Sequence, residues 1–363
     1  MSSVLFGRDN LTLTDLHINT QATVDFLVEL LKIPSPTGYH VEAIDYVRQQ
    51  FESLGISGLD LMSTTKGALL ATWKGQSGSA RRGVTAHVDT LGLMVREIKT
   101  NGRLKTNPLG GIVWPTVEME GVTVRTADDR RYRGTMLSVN PSSHVNRNIL
   151  TVERTADNME IRLDAKTKNE DETRALGIEV GDFIFVDPRV ETGSNGFIRS
   201  RFLDDKAGVA AIFGALLALR DAGLQPAQDT AFLVANYEEV GHGGSSGWPF
   251  ELAELLAIDM GAIGESQNSD EFSVSICVKD GGGPYHFDMT NKLRRLSQTY
   301  NIPFRPDIYI NYSSDGTAYW RAGGDAKVGL IGPGVDASHS YERTHQESVL
   351  HTTHLLARYL LES

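Results

Sequence analysis

The chain has 363 residues with 35 Lys and Arg against 46 Asp and Glu, a formal charge of −11, which excludes nucleic acid or an anionic membrane as main partner. Its length exceeds one ordinary compact domain, and 40% hydrophobic residues suffice for a substantial core. A single cysteine, Cys277, excludes an intrachain disulfide, a cysteine-based zinc site and an iron–sulfur cluster, and is expected to be a small buried hydrophobe.

The opening MSSVLFGRDNLTLTDLH has no basic segment followed by an apolar one, and no apolar run approaches a membrane span, so a cytoplasmic protein is expected. Residues 23–38 (TVDFLVELLKIPSPTG) predict an amphipathic helix halted by Pro34 and Pro36. Residues 40–55 place apolar side chains at a helical period and end on Gly55. Short apolar strands are predicted at 68–73 and 83–88. A helix over 204–223, a strand over 230–237 and a strand over 254–259 follow. A strand over 327–334 and a terminal helix over 346–361 complete the pattern. Strands alternating with helices imply an α/β fold, an α/β/α sandwich with a mixed and mostly buried sheet. Between 103 and 197 the texture changes to short alternating strands separated by turn residues, which predicts an inserted all-β, barrel-like domain. The expected division is therefore 1–102 and 198–363 for the α/β domain, with 103–197 inserted.

Several of these strands end on chemistry-bearing residues. TAHVDTLG places His87 and Asp89 two apart, on one face of an extended strand, where Asp89 could orient the ring of His87. SRFLDDKAG carries Asp204 and Asp205 at the entry of a helix, where an Asp is ordinarily an N-cap. FLVANYEEVGHGG sets Glu238 and Glu239 directly after an apolar strand, and LLAIDMG ends another on Asp259. DASHSYERTH supplies His339 and His345. Each has an ordinary reading alone: a surface His–Asp contact, a helix cap, solvated strand ends, surface histidines. Together they cluster where open α/β sheets place ligand sites, at the carboxyl ends of strands. Two imidazoles and three carboxylates are suitable donors for paired zinc, cobalt or manganese ions.

In this order and spacing, LLKIPSPTG, HVDTLGLMV, LDDKAG, EEVG, the ID strand end, SSDGTA and SHS resemble the M42 metallo-aminopeptidases, co-catalytic dimetal exopeptidases, over nearly the whole chain. The resemblance implies two divalent metal ions per chain, zinc first, with cobalt or manganese as alternatives. It implies that His87, Asp204 and Asp259 hold one ion, and that Asp204, Glu239 and His339 hold the other, with Asp204 bridging. Asp89 would orient His87 through its side chain, and Glu238 would be the general base. It further implies a short peptide or amide substrate and a homo-oligomer, a dodecamer in many members.

The chain departs from the family pattern around His339. The Arg-Tyr pair before it is absent, Tyr341 stands in place of Pro, and Glu342 comes one residue early, which keeps His345 as a rival ligand. His242, after EEVG, is expected to line the substrate pocket, and Asp315 in SSDGTA to help receive a substrate amine. These details resemble a subgroup linked to the osmolyte N-acetylglutaminylglutamine amide. The expected activity is aminopeptidase. The alternatives are an amidohydrolase acting on an N-blocked dipeptide, and a non-catalytic scaffold holding structural metal.

Overall fold

The computed structural model describes residues 16–363, so the reading of the opening segment falls largely outside the described residues. The first helix, Thr20–Lys32, begins where the Asn19 side chain accepts a hydrogen bond from the Ala22 amide. It ends just before Pro34, as proline at the next turn requires. Its apolar face (Phe26, Leu27, Leu30, Leu31) meets the helix Leu203–Asp221, and Phe26 stacks on Phe213 with ring centroids 4.4 Å apart. That second helix is buried along nearly its whole length because small residues admit close neighbours. A Cβ on Gly214 would lie 2.5 Å from Thr23 Oγ1 and 2.8 Å from Thr353 Cγ2, on the two helices flanking it. Glycine costs about 1 kcal/mol of helix propensity relative to alanine, and this close approach offsets it.

Among the described residues thirteen strands join one mixed sheet, and six others close a barrel. At the sheet's centre Gln228–Ala235, Ser77–His87, Glu254–Ile258 and Lys327–Asp336 lie side by side and parallel. Antiparallel strands extend both flanks. The central strands are apolar on both faces. Phe232, Val234, Leu256 and Ile258 pack into the core shared with the long helices. Their alternates Ala231, Leu233, Leu255 and Ala257 face the opposite side, where Trp248 covers them. Two covered faces explain why these segments read as continuous apolar runs rather than alternating ones.

The barrel runs Gly92–Ile98, Leu104–Leu109, Met159–Leu163, Arg131–Ser138, Gly121–Arg125 and Phe183–Val186. Leu93, Val95, Val122, Val124, Met136, Ile161 and Ile184 fill its interior. Its first strand is drawn from before residue 103. This strand follows His87 by a few residues, so the barrel is attached directly beside the carboxyl ends of the central strands. No described helix is long and apolar enough to cross a membrane.

Candidate metal centre

Parallel neighbours end together, so the residues just beyond them share one space. His87 closes one central strand, Glu238 and Glu239 follow a second, Asp259 follows a third, and His339 follows the fourth by three residues. Asp204 enters from the start of the Leu203–Asp221 helix, whose backbone is irregular at Asp204 and Asp205, so their side chains diverge. Asp204 Oδ1 lies 3.3 Å from His87 Nε2, and Oδ2 lies 3.6 Å from His339 Nε2. It therefore sits between the two imidazoles. The adjacent glutamates separate in the same sense: Glu238 Oε2 approaches His87 Nε2 at 3.8 Å, and Glu239 Oε2 approaches His339 Nε2 at 3.5 Å.

Asp205 does something else. Its Oδ1 accepts from the Gly208 amide at 3.1 Å, the helix-capping bond expected of an Asp at this junction, and Oδ2 accepts from the His87 amide at 3.3 Å. Buried donor atoms of His87, Asp205 and Asp259 lie within 4.8 Å of one another, which marks a second way to group acids around His87. Both Asp205 oxygens already hold backbone amides, whereas Asp204 faces both rings. Of the pair, Asp204 is the one placed between the two imidazoles.

Asp89 departs from its expected role. The bond to His87 Nδ1 comes from the Asp89 backbone carbonyl at 2.9 Å, while the nearest carboxylate oxygen is 3.7 Å away. The carboxylate instead accepts from the Glu238 and Glu239 amides and from Thr37 Oγ1, at 3.1, 3.4 and 2.7 Å. Asp89 fixes both the ring and the glutamate turn, by different atoms. Thr37 belongs to the PSPTG segment, where Pro36 bridges Thr90 and Ser35 Oγ donates to the Val88 carbonyl. The physical role of that motif was not readable locally.

Three other expectations are corrected. His345 caps the terminal helix, accepting from the Glu347 amide, and its Nε2 meets the Asn195 carbonyl at 2.9 Å, so it stands outside the cluster. His242 does not line the cavity: it stacks on Tyr237, with centroids 5.1 Å apart, and lies 3.2 Å from Lys66 Nζ. Asp315 is buried, accepting from the Gly244 amide at 2.6 Å and from Thr85 Oγ1 at 3.2 Å, so it braces the loop after the glutamates instead of facing substrate. A Cβ on Gly243 would come within 2.5 Å of its Oδ1.

A cavity of about 880 Å³ opens on the cluster and is lined by Asp204, Glu238, Glu239, Asp259, His339 and Tyr312 among others. Burial drives the carboxyls of Glu238, Glu239 and Asp259 well above the carboxylate range, and their neighbours' negative charge adds to it. Burial likewise lifts Asp315 to about 6. For His87, burial presses the imidazolium down, but Asp204, Glu238, Asp259 and Asp89 outweigh it and hold the ring well above its usual range. Burial would raise Asp204, yet His87, His339 and Ser338 bring it below its ordinary value. Among the described residues no Lys or Arg forms an ion pair with any of these site carboxylates. His87 Nε2 is buried and makes no hydrogen bond. An orphaned imidazole nitrogen amid uncompensated carboxylates is the chemistry of a cation site, because buried charge without a partner costs several kcal/mol per group. The residues present fit divalent metal.

Fold and site together define a class: a mixed α/β scaffold with a closed barrel beside a strand-end cluster of imidazoles and carboxylates. The family model of the M42 glutamyl aminopeptidases matches residues 67–355, and the chain belongs to the M42 peptidase family, whose members are metal-dependent hydrolases. It is 45% identical over 342 residues to the putative aminopeptidase YhfE of Bacillus subtilis, covering 94% of this chain and 98% of that one. In fold it matches the aminopeptidase APDkam598 of Desulfurococcus kamchatkensis with a TM-score of 0.83 at 23% identity, over 95% of this chain and 96% of that one. It also matches the TET1 peptidase of Pyrococcus horikoshii with a TM-score of 0.80 at 20% identity, over 94% and 100% of the chains.

Proposed function

We propose that the protein is a dimetal aminopeptidase acting on short peptides. The observation that carries this reading is Asp204, set between two imidazoles, each of which faces one of two adjacent glutamates. His87, Asp204 and Asp259 would hold one divalent ion and Asp204, Glu239 and His339 the other, zinc being the first choice and cobalt or manganese alternatives. Such ions, when bound, polarise a carbonyl and acidify water near neutral pH. The rest is done by the chain. Asp89 holds the His87 ring and the glutamate turn. Glu238 takes a proton from the attacking water and delivers it to the leaving amine. The cavity accepts the peptide beside both groups.

One observation favours a second substrate class. Asp315, expected to help receive a free α-amine, is already occupied by Gly244 and Thr85. An N-acetylated dipeptide amide, the kind of compound handled by the osmolyte-linked subgroup, would need no such carboxylate. Metal analysis with kcat/KM for a free dipeptide amide and its N-acetyl form decides between them. Preference for the free amine supports the aminopeptidase; preference for the acetylated compound replaces it with an amidohydrolase. Absence of metal-dependent hydrolysis of either would remove both.

The TET1 peptidase of P. horikoshii assembles into a tetrahedron or a large octahedral shell, and one such structure is a dodecamer. We infer that this chain also self-assembles, with the inserted segment 103–197 supplying subunit contacts and limiting access to short peptides. Light scattering at micromolar concentration that shows a monomer overturns this.

A further inference from the structure

We propose that Glu342 is a positioning residue that locks the second half of the metal centre by holding two separate chain segments with one carboxylate. Its side chain is buried, 2% exposed, in the strand Glu342–His345. Oε1 accepts from the His339 amide at 3.1 Å, and Oε2 accepts from the Asp204 amide at 3.2 Å. These two amides belong to residues facing each other across the cluster, His339 Nε2 to Asp204 Oδ2. The strand places the carboxylate there because Glu342 pairs with Ser200, four residues before Asp204.

The two segments need such a clamp. His339 adopts a left-handed backbone with φ of 64°, as do Ala337 at 59° and Phe202 at 73°, conformations that non-glycine side chains seldom take unaided. Ser338 Oγ adds a bond to Asp204 Oδ2 at 3.0 Å from inside the same turn. Only an acceptor at both ends of a forked group can take both amides. A glutamine offers one acceptor oxygen and one donor NH₂, which would oppose one of the two N–H groups. Both Glu342 oxygens are engaged by backbone, so it is not itself a ligand. Burial, and then the neighbouring Asp204, push its carboxyl well above the usual range, so placing it here carries an electrostatic cost.

This inference rests on the dimetal reading above, and the test separates the two. Metal-free protein is titrated with Zn²⁺ by calorimetry, wild type beside Glu342→Gln, and turnover is followed against added metal. Wild type should bind two ions per chain. In the variant the ion held by Asp204, Glu239 and His339 should weaken roughly 10- to 100-fold, the usual scale for losing a group that orients a ligand, and the other, which shares only Asp204, by clearly less. Turnover should fall at limiting metal and recover with excess, with KM little changed. A purely structural role would lower the melting temperature without separating the two affinities. If wild type binds fewer than two ions, the dimetal reading fails and the clamp with it. If wild type binds two and the variant binds both equally well, only the clamp is overturned. Should Glu342→Gln not fold, Glu342→Asp carries the test: shortened by one methylene, it cannot reach both amides, and the same selective weakening is expected. Wild-type affinities for both ions in that variant overturn the proposal.

Discussion

Buried carboxylates are treated in opposite ways in the barrel and at the ends of the central strands. In the barrel Glu160, Glu120 and the half-buried Glu118 each find a cation from their own chain, while buried Asp182 accepts from the Glu179 amide. Glu160, 2% exposed, meets Lys99 at 2.5 Å and Arg103 at 2.6 Å. Glu120 meets Arg189 and Arg201, and Glu118 meets Arg154. At the strand ends Glu238, Glu239 and Asp259 crowd together around a shared Asp204, with imidazoles but no Lys or Arg among the described ion pairs. These barrel glutamates receive their positive charge as the chain folds, and the strand-end cluster does not. A cluster left short of positive charge, with an orphaned ring nitrogen, is one that expects the charge from outside.

The largest expected effect tests whether the neighbouring glutamates differ. Glu238→Gln should retain both metals and lose roughly 10²- to 10⁴-fold in turnover, the scale of a positioned base. Glu239→Gln should weaken metal binding as well, measured by metal content after dialysis. Identical behaviour of the two variants would erase the division drawn from their contacts with His87 and His339.

Asp204→Asn tests the shared position. With one carboxylate oxygen replaced, occupancy should fall at both metal sites, and metal content per chain reads it directly. Double occupancy in this variant would leave the Asp204 geometry without its assigned meaning.

Chelation should act on the strand ends and spare the barrel. A ligand at 1,000 times its Kd stabilises by about 4 kcal/mol per site, so calorimetry should show a lower Tm after chelation, restored by added Zn²⁺. An unchanged Tm would mean that the cluster needs no external cation.

The two regions also predict opposite responses to pH. Folding raises the carboxyls of Glu238, Glu239, Asp259 and Asp315, so the folded chain keeps protons that the unfolded chain has released. Their contribution is present below the ordinary carboxylate pKa, about 4, and is lost as pH rises, for Asp315 through about 6. Glu118 behaves oppositely: the hydrogen bond from Arg154 lowers it, so its contribution is present above that range and lost in acid. Metal-free protein should therefore lose stability relative to loaded protein as pH rises above the ordinary carboxylate range, about 4. Denaturant unfolding of both forms across that rise checks it, and parallel curves would count against the cluster as described.

The smallest effect lies in the barrel. Glu160→Gln removes a charged partner from Lys99 and Arg103, which keep some access to water, and should cost about 1–3 kcal/mol whether or not metal is bound. A metal-dependent cost would mean that barrel and site are coupled.

What the sequence determined by itself is local. Apolar runs and their periods placed the central strands and long helices, because a strand covered on both faces must be apolar throughout. The same runs located His87, Glu238, Glu239 and Asp259 at strand ends, where neighbouring parallel strands deliver residues to one space. The turn-rich texture between the two α/β segments announced the barrel, though its first strand, Gly92–Ile98, reads like the apolar strands before it. Only the tertiary structure decided where side chains point. Whether Asp204 or Asp205 faces the rings depends on an irregular helix entry, and whether His339 or His345 joins them depends on a left-handed turn and a helix cap. Asp89, Asp315 and one oxygen of Glu342 were assigned by backbone amides from segments 149, 71 and 138 residues away. A carboxylate's identity is written in the chain; the donors that occupy it are set only when remote segments pack together, because a hydrogen bond needs its partner within about 3 Å.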